Sequence, residues 1–365
     1  MRSFFDNNSA SRNLPVQTRS FLGPDHTKKA ARTVFAAALL LFIVLMTGSV
    51  STRTYAATAP MAERTGFFFD TVITISLYDT ADEAILDKCF EKLAYYESIF
   101  SRTREGSDVW NINHNNGEAV SCAPETIDII GKALSWCEAS NGALDITIAP
   151  VVDLWDFHED SEKIIPEEKT LAEAVSHVDY KTVEIDGEKV RLKDPEAGVD
   201  LGAIAKGYIS DGIRDILRAE GCASALINLG GNVLAVGKKP DGKPFNIGIR
   251  RPFGETAADL IQVVSAENAS VITSGTYERY FEKDGVIWHH ILDPKTGEPV
   301  RNGLTSVTIL SADGTDGDAL TTACFVLGRE KGMELIESLD GVEAMMVDEN
   351  GEVSASSGWS GVNYG

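Results

Sequence analysis

Two Asp-Gly pairs constrain the fold of this chain more than any other local feature. Asp186-Gly187 interrupts the run from Val183 to Lys193, and Asp284-Gly285 interrupts the run from Tyr277 to Leu292. An Asp-Gly pair between strand-like residues is typical of a tight β-hairpin, because both positions tolerate positive φ. Each run is therefore predicted to form two antiparallel strands.

Helical patterns stand between these hairpins. Amphipathic spacing predicts helices over residues 80–100, 123–140, 204–217 and 316–327, and further strands over 67–78, 223–229, 305–310 and 342–347. No regular series of strand, helix and parallel strand runs through the chain. The pattern therefore predicts an α+β fold of mixed sheets and helices and argues against a doubly wound parallel sheet.

The N-terminal segment predicts export. Residues 34–50 are almost wholly apolar, basic residues precede them, and Ala57-Thr58-Ala59 offers a small-x-small cleavage site. This order is that of a secretory signal, and an uncleaved anchor is the second interpretation because the run is shorter than the ~20 residues of a spanning helix. No cysteine lies near the end of the run, which argues against a lipoprotein. Residues 1–59 are predicted to be the export segment and 60–365 a single large domain.

Charge and cysteine content exclude several classes of partner and site. The chain carries 33 basic and 55 acidic residues, a net charge of −22, and without residues 1–59 the net charge becomes −27. Such a surface repels nucleic acid, so no nucleic-acid partner is expected. The five cysteines are odd in number and contain no Cys-x-x-Cys pair, so the sequence predicts neither a zinc site nor a disulfide framework.

The bend from Asp200 to Asp211 is a candidate phosphate site. It combines a carboxylate, two glycines and Lys206 directly ahead of a helix. Free backbone N–H groups and the positive end of the helix dipole favour phosphate at such a place, and glycines permit close backbone approach. The alternative is a helix whose entry is simply tight. The stretch is neither a P-loop nor a G-x-G-x-x-G motif, so a nucleotide site here would be of another kind.

Two further clusters admit either a binding or a structural interpretation. Leu154-Trp-Asp-Phe157 places an aromatic pair in a loop, where it either stacks on a planar ring or pins the loop as buried side chains. Asn228-Leu-Gly-Gly-Asn232 ends a strand in a Gly-Gly turn, which is either a tight turn or a backbone cradle for a ligand.

The last two clusters concern proton transfer and metal binding. His289 and His290 are adjacent on a strand, so only one of them can face a given pocket. Asp318 and Thr322 are spaced i, i+4 at the start of a helix, which places a carboxylate and a hydroxyl on one face. Two hard oxygen donors suit Mg²⁺, which keeps water and substrate phosphates in its shell; an acidic helix cap is the alternative.

Taken together, these motifs resemble the flavin transferases of the ApbE type, the FAD:protein FMN transferases. The matching stretches occur in order along the chain, at Gly142–Trp155, Asp200–Asp211, Asn228–Asn232, Thr273–Arg279, His290–Gly297 and Asp318–Thr322. The resemblance covers residues 65–360 and implies an ApbE-like fold of two closely packed lobes. It also implies an exported, Mg²⁺-dependent enzyme that splits FAD, attaches FMN to a Thr or Ser of a partner flavoprotein and releases AMP.

The resemblance also assigns roles to particular residues. It implies Asp318, Thr322 and the carbonyl of Ala203 as metal ligands, and Asp318 and His290 as catalytic residues, with His290 helping to deprotonate the acceptor hydroxyl. It implies a flavin site drawn from Phe69, Trp155, Asp156, Phe157, Asp200, Lys206 and Leu292. The implied acceptor is a subunit of a membrane redox complex of the Rnf or Nqr kind with a Ser/Thr-Gly-Ala-Ser/Thr motif.

One departure and two alternatives accompany this resemblance. Many relatives carry Met-Gly-Thr on the first strand, whereas this chain has Phe69-Asp70-Thr71, which adds a negative charge near a phosphate-bearing ligand. An FAD pyrophosphatase would use the same metal with water as the nucleophile. A non-catalytic, exported flavin-binding protein would need no metal, and the presence of both Asp318 and Thr322 argues against it.

Overall fold

A computed structural model describes residues 59–157, 163–256 and 258–360, which belong to one compact unit. The predicted export segment, residues 1–59, lies outside these ranges except for Ala59, so the boundary after residue 59 stays a prediction. Across the described ranges, no helix is both long enough and apolar enough to span a bilayer.

The described strands are β1 to β15 in chain order. Their bounds are Ala62–Phe68, Thr71–Leu77, Val120–Ser121, Val183–Asp186, Lys189–Leu192, Ser224–Leu229, Asn232–Gly237, Phe245–Arg250, Leu260–Ala266, Ala269–Gly275, Tyr280–Lys283, Val286–His289, Leu304–Ser311, Glu343–Asp348 and Val353–Ala355. Eight of them form one sheet in the order β1-β2-β6-β7-β10-β13-β14-β15, with every neighbouring pair antiparallel. Three smaller sheets pair β11 with β12, β8 with β9, and β3 with β5 and β4.

The described helices are α1 to α7. Their bounds are Glu83–Phe100, Asp108–Asn113, Pro124–Ala139, Ala149–Trp155, Glu168–Val175, Ala205–Ala219 and Gly314–Glu337. Helices α6 and α7 pack against each other and against the central strands of the large sheet. The mixed, antiparallel architecture confirms the predicted α+β class.

The large sheet is buried on both faces, and the alternation along β14 shows how. Met346 belongs to a core cluster with Phe325 of α7, whereas its neighbours Met345 and Val347 pack in a cluster with the β8–β9 hairpin. Successive side chains of a strand point to opposite faces, so the helices cover one face and the hairpin covers the other.

The first strand prediction is corrected by the structure. The run 67–78 is not one strand, because Phe69 and Asp70 form the two-residue turn of the β1–β2 hairpin. Both have positive φ, 53° and 56°, a conformation that non-glycine residues rarely adopt. Without Asn-Gly or a similar pair, the sequence carries no ordinary hairpin signal at this turn.

Helix α7 is longer than the predicted 316–327. It continues to Glu337 across non-helical backbone at Gly328, whose φ is 80°. The Asn302 side-chain amide donates to the carbonyl of Phe325 at 2.6 Å and so caps the first part of the helix at this break. A glycine inside a periodic pattern indicates a stop, and here it marks a break within a longer helix.

Candidate active site

A cleft of about 1240 Å³ opens where the start of α6, the first turns of α7 and the edge of the large sheet meet. Drug-sized ligands occupy pockets of roughly 300–1,000 Å³, so this cleft has room for a dinucleotide. It brings together ten of the eleven residues that the sequence analysis assigned to the site: Phe69, Asp156, Phe157, Asp200, Ala203, Lys206, His290, Leu292, Asp318 and Thr322.

Asp318 is a buried acidic group of the cleft and is held by two other elements. Its side chain is 3% exposed. One carboxylate oxygen accepts the backbone N–H of Gly207 at 2.9 Å, and the other accepts the side-chain amide of Asn232 at 2.8 Å. Helix α7 supplies the carboxylate, α6 one donor and the first residue of β7 the other. The carboxylate is thus fixed in position, and each of its oxygens keeps a lone pair for another ligand.

The bond to Asp318 also frees the carbonyl of Ala203. In a regular helix, the N–H of Gly207 would donate to this carbonyl four residues earlier. Here that N–H donates to Asp318, and α6 begins only at Ala205. The Ala203 carbonyl therefore lies beside the cleft without its helical donor, and Thr322 lines the same cleft one turn after Asp318.

These three residues fit a hard divalent cation. The described parts of the chain contain no group of three or more His, Cys, Asp or Glu residues that could hold a metal. A carboxylate, a hydroxyl and a main-chain carbonyl form a different kind of site, made of oxygen donors only. Mg²⁺ prefers such donors and completes its shell with water and phosphate oxygens. The donor chemistry at Asp318, Thr322 and Ala203 matches that preference.

Lys206 and Asp200 line the neighbouring wall of the cleft. The Lys206 ammonium lies 3.7 Å from Asp318 Oδ1 and donates to the carbonyl of Gly202 at 3.4 Å. Asp200 accepts the N–H of Gly202 at 2.7 Å and pairs with the Nε of Arg102 at 2.9 Å. The bend thus carries a positive group beside the candidate metal site and a carboxylate that is already held by its neighbours.

The β1–β2 turn and the loop after α4 contribute apolar surface. Phe69, Phe157 and Leu292 line the cleft, and the Phe69 N–H donates to the carboxylate of Glu97 at 2.8 Å. That bond holds the turn in its positive-φ conformation. Asp156 ends α4 with a φ of 40° and also lines the cleft. These side chains offer a surface on which a planar ring can stack.

Trp155 is the one assigned residue that the structure does not bring to the cleft. Its side chain is 1% exposed, and its indole N–H donates to the carbonyl of Gly297 at 2.7 Å. Its ring stacks on Phe157 at 5.9 Å and on Trp288 at 5.3 Å between centroids. Trp155 therefore fixes the loop that carries Phe157, in agreement with the structural alternative considered for this pair.

The two adjacent histidines have separate roles, as their alternation on the strand predicts. His289 is buried; one ring nitrogen faces the carbonyl of Val300 and the other receives the N–H of Ile291. His290 lines the cleft, with Nδ1 3.1 Å from the carbonyl of Arg279. A carbonyl needs a donor, so Nδ1 of His290 carries the hydrogen and Nε2 is the free acceptor. Enclosure by the cleft walls lowers the pKa of His290 to about 3, so the ring is neutral at pH 7.

Three residues of the site were given no individual role from the sequence, although Asn232 ends the candidate cluster Asn228–Asn232. Asn232 orients Asp318, and Arg102 ties Asp200 to Asp153 of α4, although nothing in the sequence distinguishes that arginine from a surface residue. Glu278 lines the cleft within the Thr273–Arg279 motif, which could have indicated it. Enclosure raises the pKa of Glu278 to about 7, with Lys206 opposing the shift.

Comparison with known proteins places this site in a family. Residues 69–346 match the sequence model of a protein family that is described as "ApbE family". It is 39% identical over 290 residues to a protein of Klebsiella pneumoniae (strain 342) named FAD:protein FMN transferase, covering 78% of this chain and 88% of the relative. A protein of the same name from Treponema pallidum (strain Nichols) is 37% identical over 295 residues, covering 75% and 80%.

A solved structure agrees with the sequence relatives. The crystal structure of the ApbE protein from Thermotoga maritima superimposes with a TM-score of 0.74 at 34% identity, covering 81% of this chain and 97% of that chain. The matched range includes both sides of the cleft, from the β1–β2 turn to the strand that follows α7. The chain therefore belongs to the ApbE family.

Proposed function

We propose that the chain is a Mg²⁺-dependent FAD:protein FMN transferase. It would attach the FMN half of FAD through a phosphoester bond to a Thr or Ser of a partner flavoprotein and release AMP. The names of the relatives support the reaction class. The observation that carries the proposal is the buried Asp318 carboxylate, oriented by Gly207 and Asn232 beside the freed carbonyl of Ala203.

The reaction exchanges one phosphorus–oxygen bond for another. The acceptor hydroxyl oxygen would bond to the phosphorus of the FMN half of FAD. The bond from that phosphorus to the bridging oxygen would break, AMP would leave with that oxygen, and the hydroxyl proton would pass to Nε2 of His290. Asp318, Thr322 and the Ala203 carbonyl would hold the cation. When bound, Mg²⁺ supplies positive charge to the phosphoryl oxygens, where the barrier to this reaction lies. Lys206 adds a second positive group on the same side of the cleft.

His290 is suited to orient the acceptor hydroxyl. Its ring is neutral, Nδ1–H is engaged by the carbonyl of Arg279, and Nε2 is left to accept a hydrogen bond from the attacking hydroxyl. With a pKa near 3, Nε2 is a weak base, so the proton moves onto it only as the hydroxyl becomes acidic during attack. The ring's main contribution is then to position the oxygen.

The aromatic and apolar lining of the cleft is suited to the flavin. Phe69 and Phe157 offer ring faces, Leu292 adds an apolar side chain, and the buried ring of Trp155 stacks on Phe157. The Phe69-Asp70 turn replaces the Met-Gly pair of many relatives, and it places the aromatic side chain of Phe69 in the lining of the cleft. Asp200 also lines the cleft and is held by Arg102.

The acceptor and the compartment are part of the same proposal. The acceptor would be a flavoprotein subunit of a membrane redox complex with a Ser/Thr-Gly-Ala-Ser/Thr motif. The enzyme would act outside the cytoplasm, as the order of basic, apolar and small residues before residue 60 indicates.

The test is an intact-mass measurement. The protein is incubated with FAD, Mg²⁺ and a flavoprotein domain that carries the motif, beside the same domain with Ala at the modified position. We expect the first domain alone to gain the mass of FMN less one water, with AMP in equal amount. FMN and AMP without a modified acceptor would favour the pyrophosphatase, and intact FAD would favour the flavin-binding protein.

A further inference from the structure

An exposed aromatic surface adjoins the cleft and plays no part in the chemistry described above. It consists of Phe253, Tyr277 and Tyr280 and is called the aromatic rim. Phe253 is 46% and Tyr280 45% exposed. The ring of Phe253 lies 5.8 Å from that of Tyr277 and 5.9 Å from that of Tyr280, both edge to face. Because Tyr277 lines the cleft, the rim is continuous with the cleft wall.

The loop after β8 holds Phe253 outward at a conformational cost. Its φ of 54° lies in the left-handed region, which is unfavourable for a bulky side chain. Two backbone bonds close the loop around it, from Arg251 N to Asp259 O at 2.8 Å and from Gly254 N to Arg251 O at 3.0 Å. A Cβ on Gly254 would lie 2.9 Å from Cβ of Asp259. Strained residues held this firmly are concentrated at functional sites.

Charged side chains of both signs border the rim. Arg250, Arg251 and Arg279 are exposed beside it, and so are Glu255 and Glu278. Aromatic residues and arginine are the types that protein interfaces favour and that carry most of their binding energy. A partner surface with apolar side chains, and with acidic groups placed opposite the arginines, would match this combination.

We infer that the aromatic rim docks the acceptor flavoprotein, through the polypeptide that flanks its modified hydroxyl. The inference rests on the proposed function, which requires a hydroxyl on a protein to reach the cleft containing Asp318. A polypeptide that delivers this hydroxyl must pass over the cleft wall. Tyr277 belongs to that wall, and Phe253 and Tyr280 extend it outward with exposed apolar surface beside three arginines.

The test separates docking from chemistry with a double variant, Phe253→Asn with Tyr280→Thr. Asn tolerates positive φ and so preserves the loop, and Thr suits the strand β11. The control is Val353→Thr. It replaces an apolar side chain of similar exposure, 50%, with a polar one, on β15 at the far edge of the large sheet. The measurements are KM and kcat for a folded flavoprotein domain that carries the Ser/Thr-Gly-Ala-Ser/Thr motif, and Kd for FAD by calorimetry.

We expect the double variant to raise KM for the folded domain about tenfold or more, with kcat and the Kd for FAD unchanged and the control at wild-type values. Arg251→Glu should raise KM as well and weaken its dependence on salt. An unchanged KM in the double variant would overturn the inference. A parallel loss of FAD affinity would also overturn it, because the rim would then belong to the nucleotide site. Failure of the wild type to modify any acceptor would instead count against the proposed function.

Discussion

Asp318 shows how a single residue links the stability of this protein to its chemistry. Its position at the start of a helix suggests an exposed cap, but the side chain is buried and accepts hydrogen bonds from Gly207 and Asn232. Removing the carboxylate would leave both donors without their acceptor, at a cost of about 1–3 kcal/mol for each group. A change at this residue therefore has to be tested for folding as well as for activity.

The first prediction is that Asp318→Asn abolishes metal-dependent turnover while the protein stays folded. The amide keeps one acceptor oxygen and the shape of the side chain but loses the negative charge that a divalent cation requires. We expect at least a hundredfold loss of kcat, in the range that loss of a strong transition-state contact produces, about 3 kcal/mol. Calorimetric titration with Mg²⁺ should show weaker binding, and thermal unfolding should show a folded protein.

Asp316→Asn is the matched control for this prediction. Asp316 lies two residues earlier on the same helix, accepts the indole N–H of Trp136 at 2.8 Å and does not line the cleft. Its substitution should leave both Mg²⁺ affinity and kcat near the wild-type values. Near-full activity of Asp318→Asn in Mg²⁺ alone would show that the metal assignment is wrong.

A second prediction concerns the pH dependence of stability. Burial lowers the pKa of His289 to about 4, from the ordinary value of 6.5. The unfolded chain therefore takes up a proton between pH 6.5 and pH 4 that the folded protein does not, so stability falls as the pH falls through this range. The loss is up to about 1.4 kcal/mol per pH unit for each such group.

His289→Gln should weaken this pH dependence, because unfolding of the variant would take up one proton fewer between pH 6.5 and pH 4. Urea unfolding of wild type and variant at several pH values between 4 and 7 would measure it. We expect the variant to be less stable at pH 7, because it loses the fitted contacts to Val300 and Ile291, and the difference to shrink towards pH 4. His290 contributes a second proton of the same kind in both proteins. A constant difference across the range would contradict the assignment of a buried neutral ring to His289.

Individual residues could be predicted where spacing alone fixes their neighbours. The i, i+4 pair Asp318 and Thr322 and the alternation of His289 and His290 follow from helix and strand geometry, and both predictions agree with the structure. The burial of Trp155 depends on the distant carbonyl of Gly297, and no local pattern reports such a contact. Aromatic residues serve cores and binding sites equally well, so their type does not decide between the two.

At the scale of elements, the contact between α6 and α7 determines the geometry of the candidate metal site. The helices approach most closely at Gly207, where a Cβ would lie 2.0 Å from the carbonyl oxygen of Gly314 and 2.8 Å from Cβ of Asp318. Only glycine permits this approach, and the approach is what allows the N–H of Gly207 to reach the Asp318 carboxylate. The glycine therefore serves helix packing and the site at once.

A third prediction follows for Gly207→Ala. The added methyl group must push α6 and α7 apart, which should destabilise the protein by about 1–3 kcal/mol or more and weaken Mg²⁺ binding. The control is Gly131→Ala in α3, where a Cβ would meet only Cδ1 of Ile185, at 4.0 Å. That change should stabilise the protein by about 0.5–1 kcal/mol, since alanine favours the helix. Chemical denaturation would measure the free energy of unfolding of both variants. Equal values for the two would contradict the close contact at Gly207.

Elements were predictable in proportion to the strength of their local signals. The hairpin at Asp284-Gly285 and the amphipathic helix Glu83–Phe100 occur as their patterns indicate. The first hairpin turns one residue later than predicted, at Gly187 and Glu188, because Asp186 is the last residue of β4 and pairs with Lys189. The β1–β2 turn was missed because Phe69-Asp70 carries no turn residue with an intrinsic preference for positive φ. The bond from Phe69 N–H to Glu97 stabilises that turn from another element, and such long-range support is invisible in a short window of sequence.

At the scale of the whole molecule, the order of strands explains why the site lies where it does. The sheet order β1-β2-β6-β7-β10-β13-β14-β15 brings the first hairpin beside β6 and β7 and leaves α6 and α7 to cover one face. The β1–β2 turn and the β6–β7 turn therefore meet at one edge of the cleft, where a Cβ on Gly230 would lie 2.2 Å from Oγ1 of Thr71. Composition and periodicity predict the α+β class, but the pairing of β2 with β6 joins residues about 150 positions apart and needs the folded chain.

The last prediction concerns the N-terminal segment and tests export apart from catalysis. The first strand of the sheet begins at Ala62, and the first backbone bond to β2 is donated by Met61 to Leu77. Cleavage after Ala59 would thus remove no residue of the sheet. We expect a protein that starts at Pro60 to unfold at the same temperature as the longer chain and to modify the acceptor at the same rate. We also expect mass spectrometry of the exported protein to find an N-terminus near Pro60. A chain that keeps residues 34–50 and sediments with membranes would favour the anchor, and a chain confined to the cytoplasm would contradict both interpretations of this segment.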